Sequence, residues 1–189
     1  MKIWYIHGAN ATPASFTYIK SLLPSHTVID VVYDASDPLR ETVSKLAEMI
    51  DDDIHIVSHS LGGIIAVALS QQCPNHVKTV TTMGTPFGGS DTASKLRLLF
   101  PFSMFLRNIS LGSPVLNTVR KIGVVVPTLT IVTSAGSNPF DTKKGDGVVS
   151  VESQLALSGS EVLHVNLNHF EVLLDANVAR TISGFIFNT

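Results

Sequence analysis

Short apolar runs rich in β-branched residues alternate along this chain with longer stretches of helical period. Strand-like runs occupy Lys2 to His7, Thr27 to Tyr33, Asp53 to Ser58, Val77 to Met83, Thr128 to Ser134 and Glu161 to Leu167. This alternation predicts an α/β fold of about six mostly parallel strands with helices on both faces. Thr12 followed by Pro13 is an N-cap and first-turn pair for a helix to about Leu23, and Asp37 followed by Pro38 repeats the device. In that second helix Leu39, Val43, Leu46 and Ile50 recur at spacings of four, three and four, which draws one apolar stripe to lay on the sheet. A closing helix is expected over Phe170 to Phe187.

One connection breaks the rhythm. Residues 87–127, between the fourth and fifth strands, are too many for an ordinary loop, and a helical, lid-like insertion is expected there. Its segment Leu96 to Leu106, LRLLFPFSMFL, is apolar nearly all round. Two readings stand: a cover that supplies an apolar acyl pocket, or an ordinary buried helix. With no internal repeat or dividing linker, the 189 residues read as one domain.

Composition narrows the partners. Hydrophobic residues make up 44% and mean hydropathy is +0.31, enough to fill one sizeable core. Charged residues are only 15%, the net charge is -2, and no run of Lys or Arg occurs, so no footprint for nucleic acid is visible. A neutral or apolar small molecule fits better. The single Cys73 excludes an internal disulfide and offers no zinc or redox pair. Lys2 to His7 follows Met1 as a strand and leaves no room for a secretory leader, which places the expectation in the cytoplasm. The longest apolar stretches fall short of the ~20 residues of a transmembrane helix. Oligomeric state is not legible.

The chemistry begins at DDIHIVSHSLGGII, an apolar strand that runs into Ser58, His59, Ser60, Leu61, Gly62 and Gly63 before a helical segment. A serine hydroxyl is a poor nucleophile unless it is exposed, aimed and beside a base, and a sharp strand-to-helix turn provides the exposure and the aim. The pattern is GxSxG with Ser58 where the first glycine usually stands, so a slightly looser elbow is expected. The helix behind it turns its positive end toward the serine, making the Leu61 N–H an oxyanion donor. The plainer alternative is an ordinary helix with Ser60 as N-cap.

A triad on such a scaffold runs Ser, then Asp or Glu, then His. Only His164 and His169 follow the region where an acid could lie. His164 falls inside a strand, whereas His169 sits in the turn after Asn168 and is the better general base. Asp141, Asp146 and Glu152 are the candidate acids. Asp146, between Gly145 and Gly147 and ahead of Val148 and Val149, suits a tight turn that delivers a carboxylate inward, with Asp141 as runner-up. The second oxyanion donor is expected from His7-Gly8-Ala9-Asn10, at the Ala9 N–H with Asn10 next. His7, His55 and His59 read as structural.

HGA near the N-terminus, SHSLGG, MGTPFGGS (Met83 to Ser90), SLGSPVLN (Ser110 to Asn117), GDGVV (Gly145 to Val149) and NHFEVL (Asn168 to Leu173) together resemble the α/β hydrolase superfamily, in particular its small lipase- and esterase-like members. GTPFGGS is similar to the GTPHxGS of lipase-like and GPI-inositol-deacylase-like relatives, with Phe87 in place of the histidine. The resemblance implies sheet order 4-3-5-6-7-8 in the family's convention and acyl transfer to water through an acyl-enzyme, on a small acyl ester or lipid, with no metal or organic cofactor. The fold also hosts thioesterases and acyltransferases, and a catalytically silent binding module is the further alternative.

Overall fold

A computed structural model describes residues 1–89, 108, 113–138 and 141–188. In chain order these form β1 (Lys2–Ile6), a 3-10 turn (Pro13–Phe16), α1 (Thr17–Leu22), β2 (Thr27–Val31), α2 (Leu39–Glu48), β3 (Ile54–His59), α3 (Leu61–Gln72) and β4 (Val77–Met83). There follow α4 (Pro114–Ile122), β5 (Thr128–Thr133), β6 (Gly136–Asn138), β7 (Asp141–Gly145), α5 (Val151–Gln154), β8 (Glu161–Val165), a 3-10 turn (Glu171–Leu174) and α6 (Ala176–Phe187).

Six strands pair in parallel in the order β2-β1-β3-β4-β5-β8, the 4-3-5-6-7-8 order the resemblance implies. Their alternate residues feed two cores, one on each face. Trp4, Ile6, Ile54 and Ile56 pack with Val43 and Leu46 of α2, Ile64 and Ile65 of α3, and Leu116 and Val119 of α4. Ile3, Tyr5, Val57 and Met83 face the other way, onto Phe16, Ile19 of α1, and Val178 and Ile182 of α6. Helix α3, between β3 and β4 in sequence, is buried along most of its length, which explains why its sequence lacks a polar face.

The expected stripe on α2 is the observed one: Leu39, Val43 and Leu46 are buried and Ile50 packs against the same core. Two other expectations are corrected. The first helix opens as a 3-10 turn, and Thr12 makes no side-chain cap. The closing helix does not run unbroken from Phe170. Asp175 adopts an extended backbone, its Oδ1 accepts the Asn177 and Val178 N–H groups at 2.8 and 2.9 Å, and α6 starts afresh behind it. The hairpin of β6 and β7 has no counterpart in the sequence-based expectation, and Asp141, the runner-up acid, opens β7. Of the expected insertion, α4 and Asn108 are described; Leu96 to Leu106 lies outside the described residues. Among the described residues no helix is long and apolar enough to cross a membrane.

Candidate active site

Ser60 stands one residue past the end of β3 with φ 54° and ψ -125°, a conformation rare for a residue carrying a Cβ. It is not an ordinary N-cap, since its side chain makes no cap hydrogen bond. Strain of this kind, on the order of 1–3 kcal/mol, persists only where the surroundings dictate it. Here the Ser60 N–H donates to Met83 O at 2.8 Å and Ser60 O accepts from Gly63 N at 3.0 Å, so both sides of the turn are fixed. A Cβ on Gly62 would lie 2.2 Å from Ile6 O, and one on Gly63 2.0 Å from Thr85 Oγ1, so both glycines are required for α3 to start this close to β1 and β4. Ser58, in place of the usual glycine, is fully buried and donates its hydroxyl to Thr81 O on β4 at 2.7 Å. Its extra polar atom is thereby satisfied within the sheet.

Asp146 and His169 are brought together by the turn after β7 and the loop after β8. His169 Nδ1 and Asp146 Oδ2 are 2.8 Å apart, and the Asp146 side chain has no exposed surface. The same Oδ2 accepts from Thr133 Oγ1 at 2.5 Å, while Oδ1 accepts the Val148 and Val149 N–H groups at 2.9 and 2.7 Å. Burial pushes this carboxyl up, but the His169 hydrogen bond and charge, with Thr133 and the Val149 amide, outweigh it and hold Asp146 below the ordinary carboxylate value. An ionised carboxylate only accepts, so Nδ1 carries the proton and the Nε2 lone pair is left free to act as a base. Gln154, fully buried, holds Thr133 in turn: its Oε1 accepts Thr133 N at 2.8 Å and its Nε2 donates to Thr133 O at 2.9 Å. His169 is clamped from the other side by Asn168 and Glu171. Asn168 Oδ1 accepts the Phe170 and Glu171 N–H groups, and Glu171 Oε2 accepts the Asn168 N–H, the reciprocal pattern of a capping box.

Gly84, directly after the Met83 that binds the Ser60 N–H, lies beneath the pair: a Cβ there would meet His169 Nδ1 at 3.0 Å and Asp146 Oδ2 at 3.2 Å. His59, directly before Ser60, approaches His169 with ring centroids 4.6 Å apart. The elbow and the His–Asp pair thus share one end of the sheet. No hydrogen bond joins Ser60 Oγ to another described residue. Gly8 closes the other side, where a Cβ would lie 3.0 Å from Ser60 Cβ. The N–H groups of Ala9 and Leu61 donate to no other described residue, which leaves both able to receive an oxyanion. Asn10 next to Ala9 is exposed and has φ 55°.

The remaining candidates fall elsewhere. Glu152 pairs with Lys143 at 3.0 Å, and His164 is exposed on β8. His7 bonds Gly8 O at 2.7 Å and stacks on Tyr33, and His55 bonds Thr79 on β4 at 2.9 Å, both as structural groups. Phe87 is fully buried in the α2–α3 core, so an apolar residue suits that motif position. Thr133, Gln154 and Gly84 were not singled out from sequence. Only Gly84 carried a signal, as part of MGTPFGGS.

Residues 7–115, more than half of the chain, match a family model described as the alpha/beta hydrolase fold. The chain belongs to the α/β hydrolase fold family. Among solved α/β hydrolase structures it is similar to a hydrolase from Oleispira antarctica, with TM-score 0.75 and 15% identity over 100% of this chain and 91% of that one. The mature lipase BlEst2 of Bacillus licheniformis gives TM-score 0.71 and 18% identity over 96% and 89%. A haloalkane dehalogenase from Bradyrhizobium elkani gives 0.65 and 14% over 99% and 90%. No curated protein sequence matches the chain. At these identities the likeness is one of fold, and the chemistry rests on the site.

Proposed function

We propose that this α/β hydrolase is a serine esterase or lipase that cleaves carboxylic esters through a covalent acyl-enzyme. The observation that carries the reading is the buried Asp146–His169 hydrogen bond of 2.8 Å at the end of the sheet where the strained Ser60 elbow stands. In this scheme His169 Nε2 takes the Ser60 hydroxyl proton as Oγ attacks the ester carbonyl, and the Leu61 and Ala9 N–H groups receive the oxyanion. Collapse of the tetrahedral intermediate breaks the acyl–oxygen bond, and His169 returns the proton to the departing alcohol. Water, deprotonated by the same nitrogen, then attacks the acyl-enzyme and frees the acid and Ser60. Asp146 holds the Nδ1–H tautomer and stabilises the imidazolium, and its four accepted hydrogen bonds support a carboxylate that stays ionised through the cycle.

Labelling with a fluorophosphonate tests the reading on native protein, heat-denatured protein and Ser60→Ala. Labelling of the native chain alone is the expected result, followed by turnover of short-chain aryl esters. A native, folded chain that does not label, or a Ser60→Ala variant that does, overturns it. Comparison of ester, thioester and acyl-transfer substrates then fixes the acceptor and donor class.

A further inference from the structure

His59 was expected to be structural only, yet it touches the candidate base at two points. It is 3% exposed, its ring lies 4.6 Å from that of His169 with an interplanar angle of 51°, and its Nε2 is 2.8 Å from His169 O. A backbone carbonyl only accepts, so Nε2 carries the proton and donates it. Nδ1 is then a bare lone pair, and it is buried with no hydrogen-bond partner. A buried acceptor left unsatisfied costs about 1–3 kcal/mol, and an apolar ring of similar size would avoid that cost if packing were all that mattered. The partner of Nε2 belongs to His169 itself, 110 residues away in the chain and on the loop beyond the edge strand β8.

We propose that His59 is a positioning residue for the esterase reaction: through its Nε2–H to His169 O and its ring face it sets the imidazole of His169 relative to Ser60. The proposal rests on the esterase reading. The residue that aims the nucleophile's backbone and the one that anchors the base are consecutive, so the Ser60 elbow and the His169 loop are registered to each other across the width of three strands, β4, β5 and β8. His59 must also remain uncharged to do this. A proton on Nδ1 would set a second cation against the imidazolium that His169 becomes, and Nδ1 is buried with no hydrogen-bond partner to receive that proton's charge. Phe170 packs edge-on to His169 at 5.3 Å and lies 6.5 Å from the His59 ring, so the three rings form one cluster.

Glutamine carries an amide nitrogen at nearly the reach of histidine Nε2, asparagine only at the reach of Nδ1, and phenylalanine keeps the ring without a donor. The expected result is that His59→Gln labels with fluorophosphonate and turns over ester within about threefold of the wild type, while His59→Asn and His59→Phe lose about 10- to 100-fold in labelling rate and kcat with KM little changed. Proton NMR supplies a readout that needs no turnover: the downfield His169 Nδ1–H resonance is sharp in wild type and His59→Gln, and broadened in His59→Phe. Should the phenylalanine variant not fold, the asparagine variant gives the same comparison. Folded His59→Asn or His59→Phe working at wild-type rate overturns the proposal, as does a Gln variant as slow as the Asn one. A wild type that does not label, but whose Nδ1–H signal is broadened in His59→Phe, sinks the esterase reading and with it the role in that reaction, while the tie of His59 to the His169 imidazole stands.

Discussion

A carboxylate shut off from water needs each of its lone pairs met, and Asp146 has four donors around it from His169, Thr133, Val148 and Val149. Thr133→Val keeps the shape of the side chain and removes one of them. The expected cost is about 2 kcal/mol in urea unfolding, since the lost bond is to a charged group, together with a fall in kcat; an unchanged midpoint would show that the hydroxyl contributes nothing. His59 makes the opposite demand, for neutrality. Burial, joined by the charge of His169, pushes it from 6.5 down to about 3, against the pull of Asp146 and of its bond to the His169 backbone. Between those two values the unfolded chain binds a proton that the folded chain does not, so folding stability falls as pH falls from about 6.5 toward about 3. Asp146 has its pKa depressed by folding, so its contribution is present above the ordinary carboxyl value and is lost only at lower pH, as the folded value is crossed. The wild-type urea midpoint is therefore expected to decline through the mildly acid range, and that of His59→Gln to decline less; parallel curves would refute the assignment of the loss to His59.

At the scale of elements, α3 meets β1 backbone to backbone. Gly62→Ala places a Cβ 2.2 Å from Ile6 O and 2.5 Å from His7 O, both backbone atoms that cannot rotate away. A loss of about 2 kcal/mol or more is expected in chemical unfolding, beyond the usual small benefit of alanine in a helix; a neutral or stabilised variant would show that α3 can slide. Such joints are where the sequence was easiest to read, because Gly62 and Gly63 behind a serine have few other uses, and the four inner strands β1, β3, β4 and β5 were legible because burial on both faces forces runs of Ile, Val and Thr. Ser60, Asp146 and His169 could be picked out by chain order and by flanking glycines. The β6–β7 hairpin was not legible, since GSN and DTKKG hold no apolar period and the hairpin depends on the close approach of Gly136 to the Asp146 backbone. The support of Asp146 by Thr133 and Gln154 was equally hidden: a buried glutamine inside a four-residue helix looks in sequence like a solvated one. Asp175 did carry its signal, a cap residue ahead of Ala-Asn-Val, and the apolar residues on both sides of it masked the break.

Across the whole molecule the candidate groups hang from strands of unequal security. Ser60 follows β3, which is flanked by β1 and β4 and buried along nearly all its length, whereas His169 follows β8, an edge strand with no buried residue. A candidate base mounted beyond an edge strand would wander unless tied to stronger parts, and the ties are specific. The His169 N–H donates to Asp146 O at 3.1 Å, its Nδ1–H to Asp146 Oδ2 at 2.8 Å, and its carbonyl accepts from His59 at the end of β3 at 2.8 Å. Ser134 and Ala135 N–H groups bind Leu167 O just ahead of it. Local opening should follow this division. In native-state hydrogen exchange, the amides of Ile56, Val57 and Ser58 are expected to be the slowest, and those of β2 and β8 faster by one to several decades. The His169 amide should exchange slowly despite lying in a loop beyond an edge strand. If it instead exchanges at the rate of the exposed loop amides, the ties do not hold in solution, and the base must be brought into position by substrate, with kcat limited by that closure instead of by proton transfer from Ser60.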